Sequence, residues 1–320
     1  MCFNGAFGAA CDSLAQAGDP RGGAAACGAP NLGMNVGGVA DYSTQLLYVD
    51  AMKQARSWIA QAGYQYSNLG WEWGDLAALD AADNPLAIGP GADASSGVAV
   101  GTMLLRDLRG HYPRGVFLVA WDGDGVVEAS MEDVVSVVRD APGRMRVTLL
   151  PGTGLNNGLF LRILRSSAAN PVRNLRVIMP FPGAAADPAL LAQPDADTLP
   201  AYSAALAQAA AFPFHPALLA FLRNYSTLRF MDLLATNSGV TPATWATRVL
   251  PAHRTFALGR GIPIEHVALL SNTLGAHAHV NVPHTGDDGY VRGMATMLRN
   301  TLRPDLNVYI EYANEVCPLL

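Results

Sequence analysis

The chain has 320 residues, half of them hydrophobic and 15% charged, which is enough apolar material for one large folded domain or two smaller ones and excludes a disordered chain. A formal charge of -5, with Lys and Arg scattered rather than clustered, lacks the basic footprint that a phosphate backbone requires, so nucleic acid is excluded as a partner. No apolar run approaches the ~20 residues needed to cross a bilayer, so no membrane insertion is expected.

Residues 1–30 hold three of the four cysteines, Cys2, Cys11 and Cys27, in a Gly/Ala-rich stretch, and are expected to form a leader without fixed structure. No basic segment leads into an apolar core there, so no signal peptide is recognisable. Two of these cysteines could pair in an oxidising compartment, or all could be free thiols in a reducing one.

From Asn31 the text changes. "NLGMNVGGVADYS" reads as a short strand of small residues ending near Asp41, and Leu47, Val49, Met52, Ala55, Trp58 and Ile59 recur near helical spacing, giving a strand-then-helix unit. Two more such units are predicted from Tyr225–Gly239 and from Ile262–Gly275, the helix of the latter falling at "DGYVRGMATMLRNTL". "NVYIEYANE" closes the series as a buried strand, Val308–Tyr312. Strands alternating with helices predict a parallel α/β architecture.

Between the first two units, "YPRGVFLVAWDGDGVVEA", "RMRVTLLPGTG", "GLFLRILRSS" and "VRNLRVIMPFPG" are short strand-like runs without intervening helices, the pattern of an antiparallel sandwich or barrel. An inserted β-domain is therefore placed at residues 81–182, followed by an Ala/Pro-rich connection with a short helix at 183–211. "DGDGVVEASME" starts like a calcium loop but has Val127 where the sharp turn needs Gly, and reads as an exposed hairpin turn.

His277, His279 and His284 leave two readings open. Alternate residues on a strand share a face, so His277 and His279 could hold a metal, with Asp287 and Asp288 nearby. The spacing fits no tight signature, however, and hydrogen bonding to a polar ligand is the preferred reading. No metal and no cofactor is expected.

In a parallel barrel the active site is built where strands end. Four predicted strand ends carry polar groups: Asp41; Asp232 and Asn237; Asn272 and His284; Asn314 and Glu315. Each could instead cap a helix, but their recurrence favours a site. Glu311 and Glu315 do not form a catalytic pair, since four strand residues set them roughly 13 Å apart, against about 5 Å for retaining and about 6.5–9.5 Å for inverting glycosidases. Glu311 is expected deeper in the sheet, in polar contact with Arg or His.

These same segments carry a resemblance. "LGMNVGGVADYSTQLLYVDAMKQARSW", "LRFMDLLATN", "VNVPHTGDDGYVRGMATMLRNTL" and "NVYIEYANEV" resemble a family of secreted, glycoside-hydrolase-like (β/α)-barrel proteins, often labelled cellulose- or carbohydrate-binding, over most of residues 31–316. The resemblance implies an α/β fold of the TIM type. The barrel portion, residues 31–80 and 212–320, has room for about five units at most at ~30 residues each, and it is expected to hold about the first four units of a (β/α)8 barrel. It also implies Glu315 as catalytic acid/base, with Asn314, Asp41, Asn237, His284 and Asp288 binding the substrate, a polysaccharide or oligosaccharide.

Where the family pattern continues "NEVWN" the chain reads "NEVCPLL", which predicts a truncated product without the strand that would carry the nucleophilic Glu, and so an inactive one. Leu233 and His279 stand where the family shows aromatic residues. Non-catalytic polysaccharide binding is the rival expectation, with Trp71, Trp73, Trp121 and Trp245 as sugar-stacking candidates. The resemblance implies export; the residues themselves leave the compartment open.

Overall fold

In the computed structural model of the chain, residues 32–62, 79–86, 98–154, 156–180, 198–238, 243–257 and 259–314 are described. The fold is mixed α/β: the described residues form one parallel sheet, two antiparallel sheets and four α-helices. The chain divides into two compact units, one comprising residues 1–38, 219–251 and 261–320, the other residues 39–218 and 252–260.

The second unit is built on alternation. Strands β2 (Ile59–Ala62), β3 (Val98–Leu104), β8 (Leu159–Ser166) and β5 (Gly125–Ser130) form one antiparallel sheet in the order β2-β3-β8-β5. β6 (Val134–Ala141), β7 (Arg144–Leu149), β4 (Gly115–Asp122) and β9 (Arg173–Ile178) form another in the order β6-β7-β4-β9. Every second side chain of β7 is buried, as a strand with one face on a core requires. A single apolar cluster takes Val100, Leu161 and Ile163 from the first sheet and Phe117, Val119, Met145, Val147 and Val177 from the second. Helix α1 (Thr198–Ala211) packs Ala205, Leu206 and Ala209 against Leu118 and Ile178 of the second sheet. Residues 183–197 of the expected connection lie outside the described residues.

The turn after β4 is not a hairpin, because β4 and β5 belong to different sheets. It switches sheets at Gly123, whose φ is +88° and whose Cβ position lies 2.0 Å from the Pro171 carbonyl oxygen, so only glycine fits.

The predicted helix after Leu47 is also absent. A 3-10 helix covers only Ala51–Gln54, capped by Asp50, whose carboxylate accepts from the Met52 and Val177 N–H groups, and the chain then enters β2. Its apolar residues Met52, Ala55 and Trp58 bury in the core of the antiparallel unit, where tertiary packing overrides their helical spacing. The Arg254 guanidinium lies 4.4 Å from the Trp58 ring and 3.0 Å from the Asp83 carboxylate; burial lowers its pKa to about 10.

In the first unit, strands β1 (Gly33–Asn35), β10 (Thr227–Arg229), β11 (His277–Val282) and β12 (Val308–Tyr312) are parallel and neighbour one another in the order β1-β10-β11-β12. α2 (Pro216–Leu222) precedes β10, α3 (Ile264–Leu274) precedes β11, and α4 (Asp288–Thr301) joins β11 to β12. The stretch expected to be a strand from Ile262 is thus a helix. Ile264, Val267, Ala268, Leu270 and Ser271 are buried on one side, Pro263 stands at the N-cap, and Gly275 ends the helix in the left-handed conformation at φ +65°.

β12, expected to be buried, is largely exposed, with Ile310 at 61% and Tyr312 at 66%. The reason is its place: among the described residues it is the last strand of the sheet and pairs only with β11.

Candidate functional site

The two faces of the parallel sheet differ sharply. Met34, Leu228, Ala278, Val280 and Val282 alternate with Asn35, Arg229, His279 and Asn281, and the register sets Asn35 beside Arg229, Arg229 beside His279, and Asn281 beside Glu311. Partners in a parallel ladder share a face, so the polar residues of four strands form one row. Leu228, Ala278 and Val280 on the opposite face are fully buried.

Glu311 is the centre of the row. Its Oε2 accepts from Arg229 Nη2 at 2.9 Å and Nε at 3.3 Å and lies 3.1 Å from His279 Nε2. The Arg229 guanidinium, then the Asn281 amide and the His279 ring, hold its carboxyl below the usual carboxylate range, so Glu311 is ionised at neutral pH. Arg229 Nη2 also donates to Asn314 Oδ1 at 2.8 Å. At the other end of the row, Asn35 Nδ2 donates to Asp232 Oδ2 at 2.6 Å.

The chain leaves β12 through a kink. Ala313 has φ +58°, the left-handed region that costs a non-glycine residue about 1 kcal/mol. Two bonds hold it there: its N–H donates to the Val282 carbonyl at 2.8 Å, and its carbonyl accepts from Asn281 Nδ2 at 3.1 Å. Asn281 is completely buried. The kink directs Asn314 toward Arg229 rather than along the strand.

The residues singled out in the sequence are distributed unevenly. Asn314 joins the row through Arg229, and Glu315 follows it outside the described residues. Asp41 belongs to the antiparallel unit, where it is buried and paired with Arg56 at 2.8 Å; burial raises its pKa and Arg56 opposes the rise. Asn237 is exposed, its amide 3.9 Å from the Met231 sulfur. His284 is exposed after β11, and Asp288, 90% exposed, opens α4 with Arg292 at 3.5 Å. Among the described residues neither is hydrogen-bonded or ion-paired to the row. Arg229 and Asn35 were not singled out, and only the strand register reveals that they face Glu311 and Asp232.

Of the tryptophans, Trp121 is buried in the antiparallel core, and Trp245 lies 4.1 Å from the Arg248 guanidinium and edge-on to Tyr290. Trp71 and Trp73 lie outside the described residues. Among the described residues no helix is long and apolar enough to cross a membrane. Comparison with protein-family models, with curated proteins and with solved structures finds no match to this chain.

Proposed function

We propose that the polar row of the parallel sheet faces carbohydrate, in a glycoside-hydrolase-like protein whose four parallel strands are the first units of a (β/α)8-type barrel. The observation that carries this reading is Arg229, which binds Glu311 and Asn314 together at the C-terminal end of β12, one residue before Glu315. Strand order supports the barrel: neighbours in the sheet are consecutive in the chain once the antiparallel strands are set aside, and helices separate β10, β11 and β12. Polar groups at strand C-termini are where such folds place their chemistry. In this reading Glu315 gives a proton to the departing sugar oxygen and Asn314 hydrogen-bonds a hydroxyl beside it.

Non-catalytic polysaccharide binding is the second reading. It is favoured by the state of Glu311, whose carboxylate is engaged by Arg229 and His279 rather than open to a sugar, while the placement of Trp121 in a core removes one of its stacking surfaces. One experiment separates the two: purified protein is assayed for retention and for reducing-end release on a panel of soluble and insoluble β-glucans. The hydrolase reading expects Glu315→Gln to lower turnover at least about 100-fold while retention persists. Retention without any turnover selects the binding reading, and absence of both rejects carbohydrate.

A further inference from the structure

A strand in a sheet has two edges, and β12 uses one. The Asn307 carbonyl accepts from the Ala278 N–H at 3.0 Å, and the Ala313 N–H donates to the Val282 carbonyl at 2.8 Å. Hydrogen bonding alternates along a strand, so the odd-numbered residues from 307 to 313 turn their peptide groups to β11. Val308, Ile310 and Tyr312 turn theirs outward, and among the described residues no strand pairs with them. Their side chains continue the apolar face, in register with Ala278, Val280 and Val282. Those three are buried, whereas Ile310 and Tyr312 are mostly exposed. Unpaired peptide groups and uncovered apolar side chains coincide on one short edge.

That edge is complementary to itself. In an antiparallel pair, directly opposite residues share a face, and two residues with outward peptide groups exchange both of their hydrogen bonds. A two-fold axis at Ile310 sets Ile310 opposite Ile310 of a second copy and Val308 opposite Tyr312, so every outward peptide group of β12 is paired. An axis at Tyr312 fails, because the kink at Ala313 ends the strand. An axis at Val308 sets Tyr312 opposite Pro304, which has no N–H. On the polar face, the axis at Ile310 sets Tyr309 opposite Glu311 of the second copy. Tyr309 stands edge-on to His277 and His279, and its hydroxyl offers a donor to a carboxylate that accepts. The two Glu311 residues fall on a diagonal roughly 7–8 Å apart, and each keeps its own Arg229 at 2.9 Å, which offsets their repulsion.

We propose that β12 is a self-recognition edge: two copies of this chain pair β12 antiparallel about Ile310, and their polar rows join with Tyr309 of one copy beside Glu311 of the other. Register and exposure carry this pairing, and it does not depend on what the row binds. Five residues a side, against about 20–30 in a standard interface, make the dimer weak and dependent on concentration.

A residue on a two-fold axis faces its own copy, so charge at position 310 tests register as well as association. Sedimentation velocity of the full chain is followed from micromolar to submillimolar concentration for the wild type, Ile310→Lys, Ile310→Glu and an equimolar mixture of the two variants. The wild type is expected to dimerise as concentration rises. Either variant alone is expected to associate at least about tenfold more weakly, because like charges face each other, and the mixture to recover the dimer. Tyr309→Phe removes only a hydroxyl and is expected to weaken association about tenfold. A wild type that stays monomeric throughout overturns the proposal and assigns the edge to its own chain, and assemblies larger than a dimer overturn the two-fold pairing. Association of either charged variant at wild-type strength, or a mixture that stays monomeric, overturns the axis at Ile310. Unchanged association of Tyr309→Phe overturns the joining of the rows.

Discussion

Asn281 shows how much one buried side chain can organise. It is fully buried, yet its amide sits among groups that define the end of β12: it donates to the Ala313 carbonyl and contributes to the acidity of Glu311. Replacing it with leucine, which has similar volume, leaves that carbonyl without its partner and releases the clamp on a left-handed alanine. A loss of about 1–3 kcal/mol is expected in chemical denaturation, and a change below about 0.5 kcal/mol would show that the clamp does not hold the kink. At this scale the sequence was partly legible. The strand spacing separated Glu311 from Glu315 and assigned it an Arg or His neighbour, and both are present. Arg229 was not legible, because an Arg in "STLRFMD" reads as a solvent-facing residue until the register sets it beside His279. Asp41 ended a predicted strand in the text, but the chain leaves the parallel sheet before reaching it and buries it against Arg56.

Elements were legible where one face is buried and the other wet. β4, β7, β8 and β9 follow from alternation bounded by Gly, Pro and Asn. β6 was missed because "VVSVVRDA" is exposed along most of its length, including Val135, Val137 and Val138, so its valines mark no core face. α3 was read as a strand because eleven residues carry barely three turns of signal, and its ending depends on Gly275 at positive φ. The short helix α2 carries a titration of its own. His215 precedes it, accepts from the Ala217 N–H through Nδ1 at 3.2 Å, and is buried, and this burial lowers its pKa. A depressed folded pKa means that the stabilisation is complete above about pH 6.5 and is lost as the pH falls through the folded value. The wild type is therefore expected to lose stability between pH 7 and pH 5, and His215→Gln to flatten that slope. Equal slopes in the two proteins, measured by urea denaturation across this range, would assign the loss to other groups.

The whole molecule is threaded in an unusual order. Its chain passes from the parallel-sheet unit into the antiparallel unit and back twice. Asn35 and Asp232, hydrogen-bonded to each other, are 197 residues apart in sequence, whereas β11 and β12 follow one another with the single helix α4 between them; β10 and β11 are separated by residues 230–276, which include α3 and the second passage through the antiparallel unit. This long-range closure has a kinetic meaning. The entropy lost in joining the ends of a flexible loop grows with its length, and it falls once the intervening segment has become compact. The pair β11 and β12 and the hairpins of the antiparallel unit can therefore gain structure from local contacts, while β1 must wait until the long segment between it and β10 has become compact. Pulsed hydrogen exchange during refolding is expected to protect β1 and its β10 partners last, and simultaneous protection of β1 with β11 would refute the order. The antiparallel unit then acts on the polar row through the order of folding: as a folding gate, its rate of collapse sets when Asn35 can reach Asp232 and complete the row.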